Sequence, residues 1–430
     1  MTIGLKRGGL SPAKTTLANG SVLLVQPTAM APAVTIDCSF AAGSLFDPTD
    51  LPGVGQMVGR VLDRGTLRRP ASVIAEELDE RGVALRVTTT RHGLSVSCTC
   101  LSEDFPAVLP ILLDVARRPA FPESEIEQPR AETITALRQD DDNPAVRAVD
   151  SVAELIYGAD HPYARKAKGT LAAVERLGRA DLISFHEKRV RPSTLVLAVV
   201  GDVDPAAALE LAGQELEDWS APTAEHVPVP APPVAKCRRV ARVEMPGKAQ
   251  ADIAYGFNTI RRLDPRYYAY WMMNNVLGQF GLGGRLADNI RERQGMAYYI
   301  YSTFDPSVGE GPLLVRAGVD PVNVSRTIDA IDEEVRRLAA GPTPAEVSET
   351  CEYLVGSIPR FLETNYGIAA FLQTVERYGL GADYDQRLPG LIRSVTIDEV
   401  RAAAAEVLNP DLAAVAVAGP LVPEFTLNQV

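Results

Sequence analysis

Gly53-Val-Gly-Gln-Met-Val-Gly-Arg-Val-Leu-Asp-Arg-Gly-Thr66 is the stretch on which the reading turns. Its apolar residues, Val54, Met57, Val58, Val61 and Leu62, recur at i, i+3, i+4, i+7 and i+8. That spacing predicts an amphipathic helix with one buried stripe. Gly55, Gln56, Gly59 and Arg60 fall mostly off the stripe. A glycine inside a helix costs roughly 1 kcal/mol relative to Ala, so two of them imply that something needs a thin or open helix surface there.

Outward from this helix the chain repeats itself once. Leu195-Val-Leu-Ala-Val-Val-Gly201 is echoed by Ala413-Ala-Val-Ala-Val-Ala-Gly419, with the glycines 218 residues apart. Ser39-Phe40 leading to Asp47-Pro48 is echoed by Gly256-Phe257 leading to Asp264-Pro265, with the aspartates 217 apart. Glu80-Arg-Gly-Val-Ala84 is echoed by Arg293-Gln-Gly-Met-Ala297, with the glycines 213 apart. Three anchors in one order at a nearly constant offset mark an internal duplication.

The first domain is expected over residues 1–220 and the second over 235–430. Between them, 221–234 carries Pro222, Pro228, Pro230, Pro232 and Pro233. So many prolines make an extended, semi-rigid linker that packs in neither domain. Strands are expected at 34–40, 93–101 and 195–200, with counterparts at 251–257, 313–319 and 413–418. Helical patterns lie at 71–80, 105–117 and 326–338. The fold class is therefore α+β: two homologous domains, each a largely antiparallel sheet with helices on one face.

Composition bounds the function. The 430 residues are 46% hydrophobic and 23% charged, with a net charge of −12. An acidic chain lacks the basic footprint of a nucleic-acid binder. No run approaches the roughly 20 apolar residues of a membrane span, and Met1–Gly20 does not read as a signal peptide. Five cysteines make no disulfide framework in a chain this long. Cys98 and Cys100 share one strand face and read as buried thiols, consistent with a reducing, cytoplasmic setting; a trimmed signal peptide would make it periplasmic. His92, His161, His186 and His226 are scattered, with no pair at metal-ligand spacing.

A second segment stands out: Leu277-Gly-Gln-Phe-Gly-Leu-Gly-Gly-Arg-Leu286, then Asn289-Ile-Arg-Glu-Arg-Gln-Gly-Met-Ala-Tyr298. It lacks the Gly-Lys-Ser/Thr ending of a phosphate loop. Arg291 and Tyr298 are seven residues apart, and the repeat places Leu78 and Leu85 at the matching positions of the first half. The polar pair is thus specific to the second half.

With Gly43, Asp47-Pro48 and Arg64-Gly65-Thr66 around it, the 53–66 helix resembles the active-site helix of the pitrilysin/insulinase family of zinc metallopeptidases, inverzincins that include the mitochondrial-processing-peptidase type. His161-Pro162-Tyr163 and the 277–298 segment are similar to further landmarks of that family. Active members carry H-x-x-E-H on the helix: two imidazoles one turn apart bind Zn²⁺, and the glutamate serves as general base. Here those positions hold Gln56, Gly59 and Arg60. A Gln amide is a poor zinc ligand, glycine has no carboxylate, and Arg places a fixed charge where the cation would sit. The family's third ligand, a Glu on a later helix, is expected near Ala136 or Leu137, with Glu132 about a turn away.

The resemblance implies a non-catalytic subunit that binds no zinc itself. Its partner is expected to be a homologous zinc-bearing peptidase subunit, in a heterodimer or heterotetramer closing as a clamshell around peptide substrates. It implies roles in trans for Arg291 and Tyr298 at the partner's active site, and substrate contact for Gly281, Gly283 and Gly284. A structural scaffold and a stand-alone peptide-binding homodimer are the alternatives.

Overall fold

Residues along β6 (defined below) show why the strands read as unbroken apolar runs: Leu197, Ala198, Val199 and Val200 are all buried, so both faces of the strand are covered. The computed structural model describes residues 9–279 and 283–420. It divides into two contact units.

The first unit holds β1 (Ala13–Thr16), β2 (Val22–Pro27), β3 (Ala33–Phe40), β4 (Arg86–Thr89), β5 (Leu94–Leu101) and β6 (Val196–Gly201), in the order β1-β2-β6-β3-β5-β4. The second holds β7 (Arg239–Glu244), β8 (Ala251–Asn258), β9 (Ala297–Phe304), β10 (Pro312–Val319) and β11 (Ala414–Gly419), in the order β7-β11-β8-β10-β9. Apart from β1 the two orders are the same. In each, one pair is parallel, β2 with β6 and β7 with β11, and the rest are antiparallel. The duplication seen in the sequence is a duplication of topology. Gly82 and Gly295, one of its anchors, both sit at φ +63°, a left-handed turn that a side chain rarely adopts.

One face of the first sheet packs Ile36, Cys38, Phe40, Leu94 and Val96 against Val54, Met57, Val58 and Val61 and against the Phe105–Arg117 helix. A fully buried Val or Leu contributes about 1.5–3 kcal/mol, so this cluster dominates the unit's stability. The Cys98 and Cys100 thiols are buried here, and burial pushes them up to about 12 and about 11. They are protonated, structural groups.

The opposite face of each sheet carries a helix from the other half of the chain. On the first sheet, Ile368, Ala369 and Leu372 of the Asn365–Arg377 helix pack on Leu24, Ala198 and Val200. Gln373 donates to the carbonyls of Asp37 and Val196, both at 2.9 Å. On the second sheet, the Pro144–Tyr157 helix lies on β8 and β11. Gly256 pairs with Ala414, and Ala254 with Ala416, making a face of small residues; a Cβ at 256 would come 2.9 Å from Ile156 Cδ1.

The contact units are therefore not the continuous stretches 1–220 and 235–430. The first comprises 1–137, 166–227 and 358–388; the second comprises 138–165, 228–357 and 389–430. The 221–234 segment has no regular structure, yet it is tied down. Pro222 and Glu225 carbonyls accept from Arg191 and Arg189 in the first unit. The Pro230 carbonyl accepts from His161 Nε2 in the second. Among the described residues, no helix is long and apolar enough to cross a membrane.

Candidate functional site

The 53–66 segment folds as a helix over Val54–Val61. Asp47, itself buried, holds its start: Oδ2 accepts from Gly53 N at 2.7 Å and Oδ1 from Gly55 N at 2.9 Å. Two N–H groups left over at the helix start are thereby satisfied by one carboxylate.

Both interior glycines are buried, contrary to their expected place off the packed stripe. A Cβ at Gly55 would lie 2.9 Å from Asp47 Oδ1 and 2.9 Å from Phe185 Cζ. A Cβ at Gly59 would lie 2.1 Å from Thr89 Oγ1 on β4 and 3.2 Å from Leu94 Cδ1. These neighbours are what require the thin helix. A glutamate at 59 would have no space unless the Thr89 hydroxyl moved.

Arg60 reaches the later helix, Glu127–Asp141, and its Nη2 donates to Glu132 Oε2 at 2.7 Å. Glu132 Oε1 accepts from Gln128 at 3.1 Å. Arg60, then Gln128, hold the Glu132 carboxyl below the usual range. The acid that stands across from position 60 is thus Glu132, one turn before 136–137. Leu137 is a core residue, 2% exposed.

This arrangement does not fit a zinc ion. Gln56, Gly59 and Arg60 offer no imidazole or carboxylate, and the nearby acid, Glu132, is held by a guanidinium. Among the described residues, no group of three His, Cys, Asp or Glu side chains could hold a metal. Arg64-Gly65-Thr66 is structural: Thr66 Oγ1 donates to buried Asp114 at 2.7 Å and accepts from the amides of Arg68 and Arg69. The His161 landmark is structural too. Its Nδ1 accepts from Tyr163 N, so Nε2 carries the proton that goes to Pro230. Tyr163 OH bonds Ser307 Oγ at 2.7 Å and accepts from Gly309 N at 2.9 Å. His186 is buried against the Ala116 carbonyl, and burial lowers it to about 4.

In the second unit, the Tyr267–Asn274 helix widens into a π-helical turn at Asn275–Gln279. A second π-helical stretch, Ala287–Arg293, follows the glycine-rich loop. Such wide turns are uncommon and cluster at functional sites. Gly281 lies outside the described residues. Gly283 is exposed and Gly284 buried. A Cβ at Gly284 would come 2.7 Å from Gly278 Cα, so two glycine backbones close the neck of the loop.

Three basic residues around this loop have different environments. Arg285 is committed to Glu346 at 2.6 and 2.8 Å, and Arg293 pairs with Asp288 at 2.6 Å. Among the described residues, Arg291 pairs only with the adjoining Glu292 at 3.5 Å, and its side chain is 43% exposed. Tyr298 stands 64% exposed near the start of β9, the sheet's edge strand. Its counterpart Leu85 is half-buried, and Arg291's counterpart Leu78 is buried in the core.

Family comparisons agree with this architecture. The family model described as Insulinase (Peptidase family M16) matches residues 22–161, and that described as Peptidase M16 inactive domain matches residues 176–354. An uncharacterized zinc protease of Streptomyces coelicolor is 27% identical over 421 residues, 95% of this chain and 89% of that protein. The Non-peptidase homolog YmxG of Helicobacter pylori is 25% identical over 366 residues, 83% of this chain and 82% of that one. The crystal structure of a peptidase M16 inactive domain from Pseudomonas fluorescens matches with a TM-score of 0.90 at 25% identity, covering 96% of this chain and 99% of that chain. With its doubled sheet topology and these matches, the chain belongs to the M16 peptidase family, as an inactive peptidase homologue.

Proposed function

We propose that this chain is the zinc-free subunit of a two-subunit peptidase, and that it lends Arg291 and Tyr298 to the active site of a homologous zinc-bearing partner. One observation carries the reading. The ligand positions of the first unit are closed by the Arg60–Glu132 ion pair, whereas Arg291 and Tyr298 stay exposed in the second. An exposed tyrosine on an edge strand adds nothing to the core, so its use lies outside the fold. Attack on a peptide carbonyl builds negative charge on oxygen, and a phenol and a guanidinium both donate to it. Zinc held by the partner supplies the activated water. An extended peptide adding to the free edge of β9 would bring its backbone beside Tyr298, with affinity from main-chain bonds. The loop at Gly283 and Gly284 precedes the stretch that carries Arg291 and is assigned to substrate contact.

The test is peptide cleavage by the chain paired with its zinc-bearing homologue. Tyr298→Phe and Arg291→Ala each lower kcat/KM by about 100-fold, the usual loss of an oxyanion donor, while the complex still assembles. Unchanged kcat/KM in both variants overturns the contribution in trans and leaves a structural scaffold. Peptide binding by the chain alone, with no partner in any preparation, favours a stand-alone binding protein.

A further inference from the structure

The second face of the first sheet carries polar residues that the core does not require. Thr35, Asp37 and Ser39 alternate with the core residues Ile36, Cys38 and Phe40 along β3. Thr35 and Thr99 hydroxyls bond each other at 2.9 Å, and Ser39 Oγ accepts from Arg377 Nη2 at 3.0 Å. Asp37 differs. It is 6% exposed, and its Oδ1 has no hydrogen-bond partner among the described residues. It forms no ion pair with Arg377, which is exposed. A buried carboxylate with an unsatisfied oxygen is costly. Burial pushes this one up to about 6, with the Arg377 charge pulling the other way.

Asp37 lines a cavity of about 250 Å³ under the Asn365–Arg377 helix, with Ser39, Thr88, Ser95, Gln373 and Arg377. Its lining includes both the exposed Arg377 and the buried Asp37.

The repeat gives this carboxylate no counterpart. Asp37 pairs with Ala198 on β6, and Ala254 pairs with Ala416, the matching residue of β11, so Ala254 stands at the place of Asp37. Asp252 of the second unit corresponds instead to Thr35, and its own unit supplies donors: Tyr299 OH donates to Asp252 Oδ1, and Gln250 Nε2 lies 3.3 and 3.2 Å from the same carboxylate. In the first unit, no donor among the described residues reaches Asp37 Oδ1.

We infer that this cavity binds a small zwitterion of α-amino acid or dipeptide size, its ammonium on Asp37 and its carboxylate on Arg377. The Ser39, Thr88 and Ser95 side chains add neutral polar groups along the wall. The site lies within the first unit and does not rest on the subunit pairing proposed above.

The test is isothermal titration calorimetry on the full chain with glycine, leucine, arginine, glutamate and glycyl-leucine, set against N-acetyl-leucine and leucinamide. At least one zwitterion binds saturably. Its N-acetyl and amide forms, Asp37→Asn and Arg377→Gln each weaken binding about tenfold or more, as expected for loss of a charge-assisted bond. Binding by the amino acids but not the dipeptide, or the reverse, assigns the ligand size. Arg377→Gln alters an exposed side chain and serves as the second, independent variant. No saturable heat up to roughly 10 mM, or undiminished binding by the blocked forms or by Arg377→Gln, overturns the inference.

Discussion

Arg60 and Glu132 join two helices across 2.7 Å. The guanidinium gives the acid on the later helix a charged partner. The pair is partly exposed, at 33% and 50% of the two side chains. Arg60→Gln should return the Glu132 carboxyl toward its ordinary value, followed by NMR titration. The sign is set by the depressed carboxyl: its contribution is present above the unfolded value and is lost as pH falls through the folded one. The variant should therefore lose part of the wild type's sensitivity to acid.

Gly59→Ala should destabilise the first unit by roughly 1–3 kcal/mol through overpacking against Thr89. Adding Thr89→Ala removes the contact at 2.1 Å and should recover most of that loss. A double-mutant cycle by urea unfolding measures the coupling. Additive effects would mean that Thr89 is not what excludes a side chain at 59.

Asp47→Ala leaves the Gly53 and Gly55 amides without their acceptor. A buried unsatisfied group costs about 1–3 kcal/mol, and unfolding midpoints in urea should fall accordingly. Asp47→Asn, which keeps one acceptor oxygen, should lose less.

Asp37→Asn should raise stability at pH 8 and make little difference at pH 3. The wild-type carboxyl sits at about 6 when folded against 3.8 ordinarily, so ionisation opposes folding, and stability falls as pH rises from the ordinary value through the folded one. The gain in the variant is up to roughly 3 kcal/mol above pH 6. Melting temperatures of both proteins across pH 3–8 give the comparison. A loss at pH 8 would mean that the charge is compensated.

Much of the fold was legible because the duplication carries physical constraints. Gly82 and Gly295 mark the same left-handed turn, and the apolar runs ending in Gly201 and Gly419 are the same central strand. The exchange of helices was not legible. An amphipathic pattern at 144–157 or 365–377 says that one face is buried, not which sheet buries it. A signal was present nonetheless: β6 has no polar alternation, so both its faces had to be covered. Gln56, Gly59 and Arg60 offer no imidazole or carboxylate, which residue type alone makes plain. Glu132, one turn before the expected 136–137, is joined to Arg60 by a contact between helices that spacing alone does not show. The roles of Asp47 and Thr89 depend on contacts between elements and have no local signature. Asp37 was read only as part of a strand, since its unsatisfied oxygen shows only once the neighbouring elements are in place.

Metal content of the purified chain, read by mass spectrometry after equilibration with excess zinc and desalting, bears most directly on the proposal that this chain holds no zinc of its own. The Arg60–Glu132 pair and the crowded Gly59 predict substoichiometric zinc and no peptide turnover by the lone chain. One zinc per chain, retained in wild type and lost on Glu132→Ala, would contradict it.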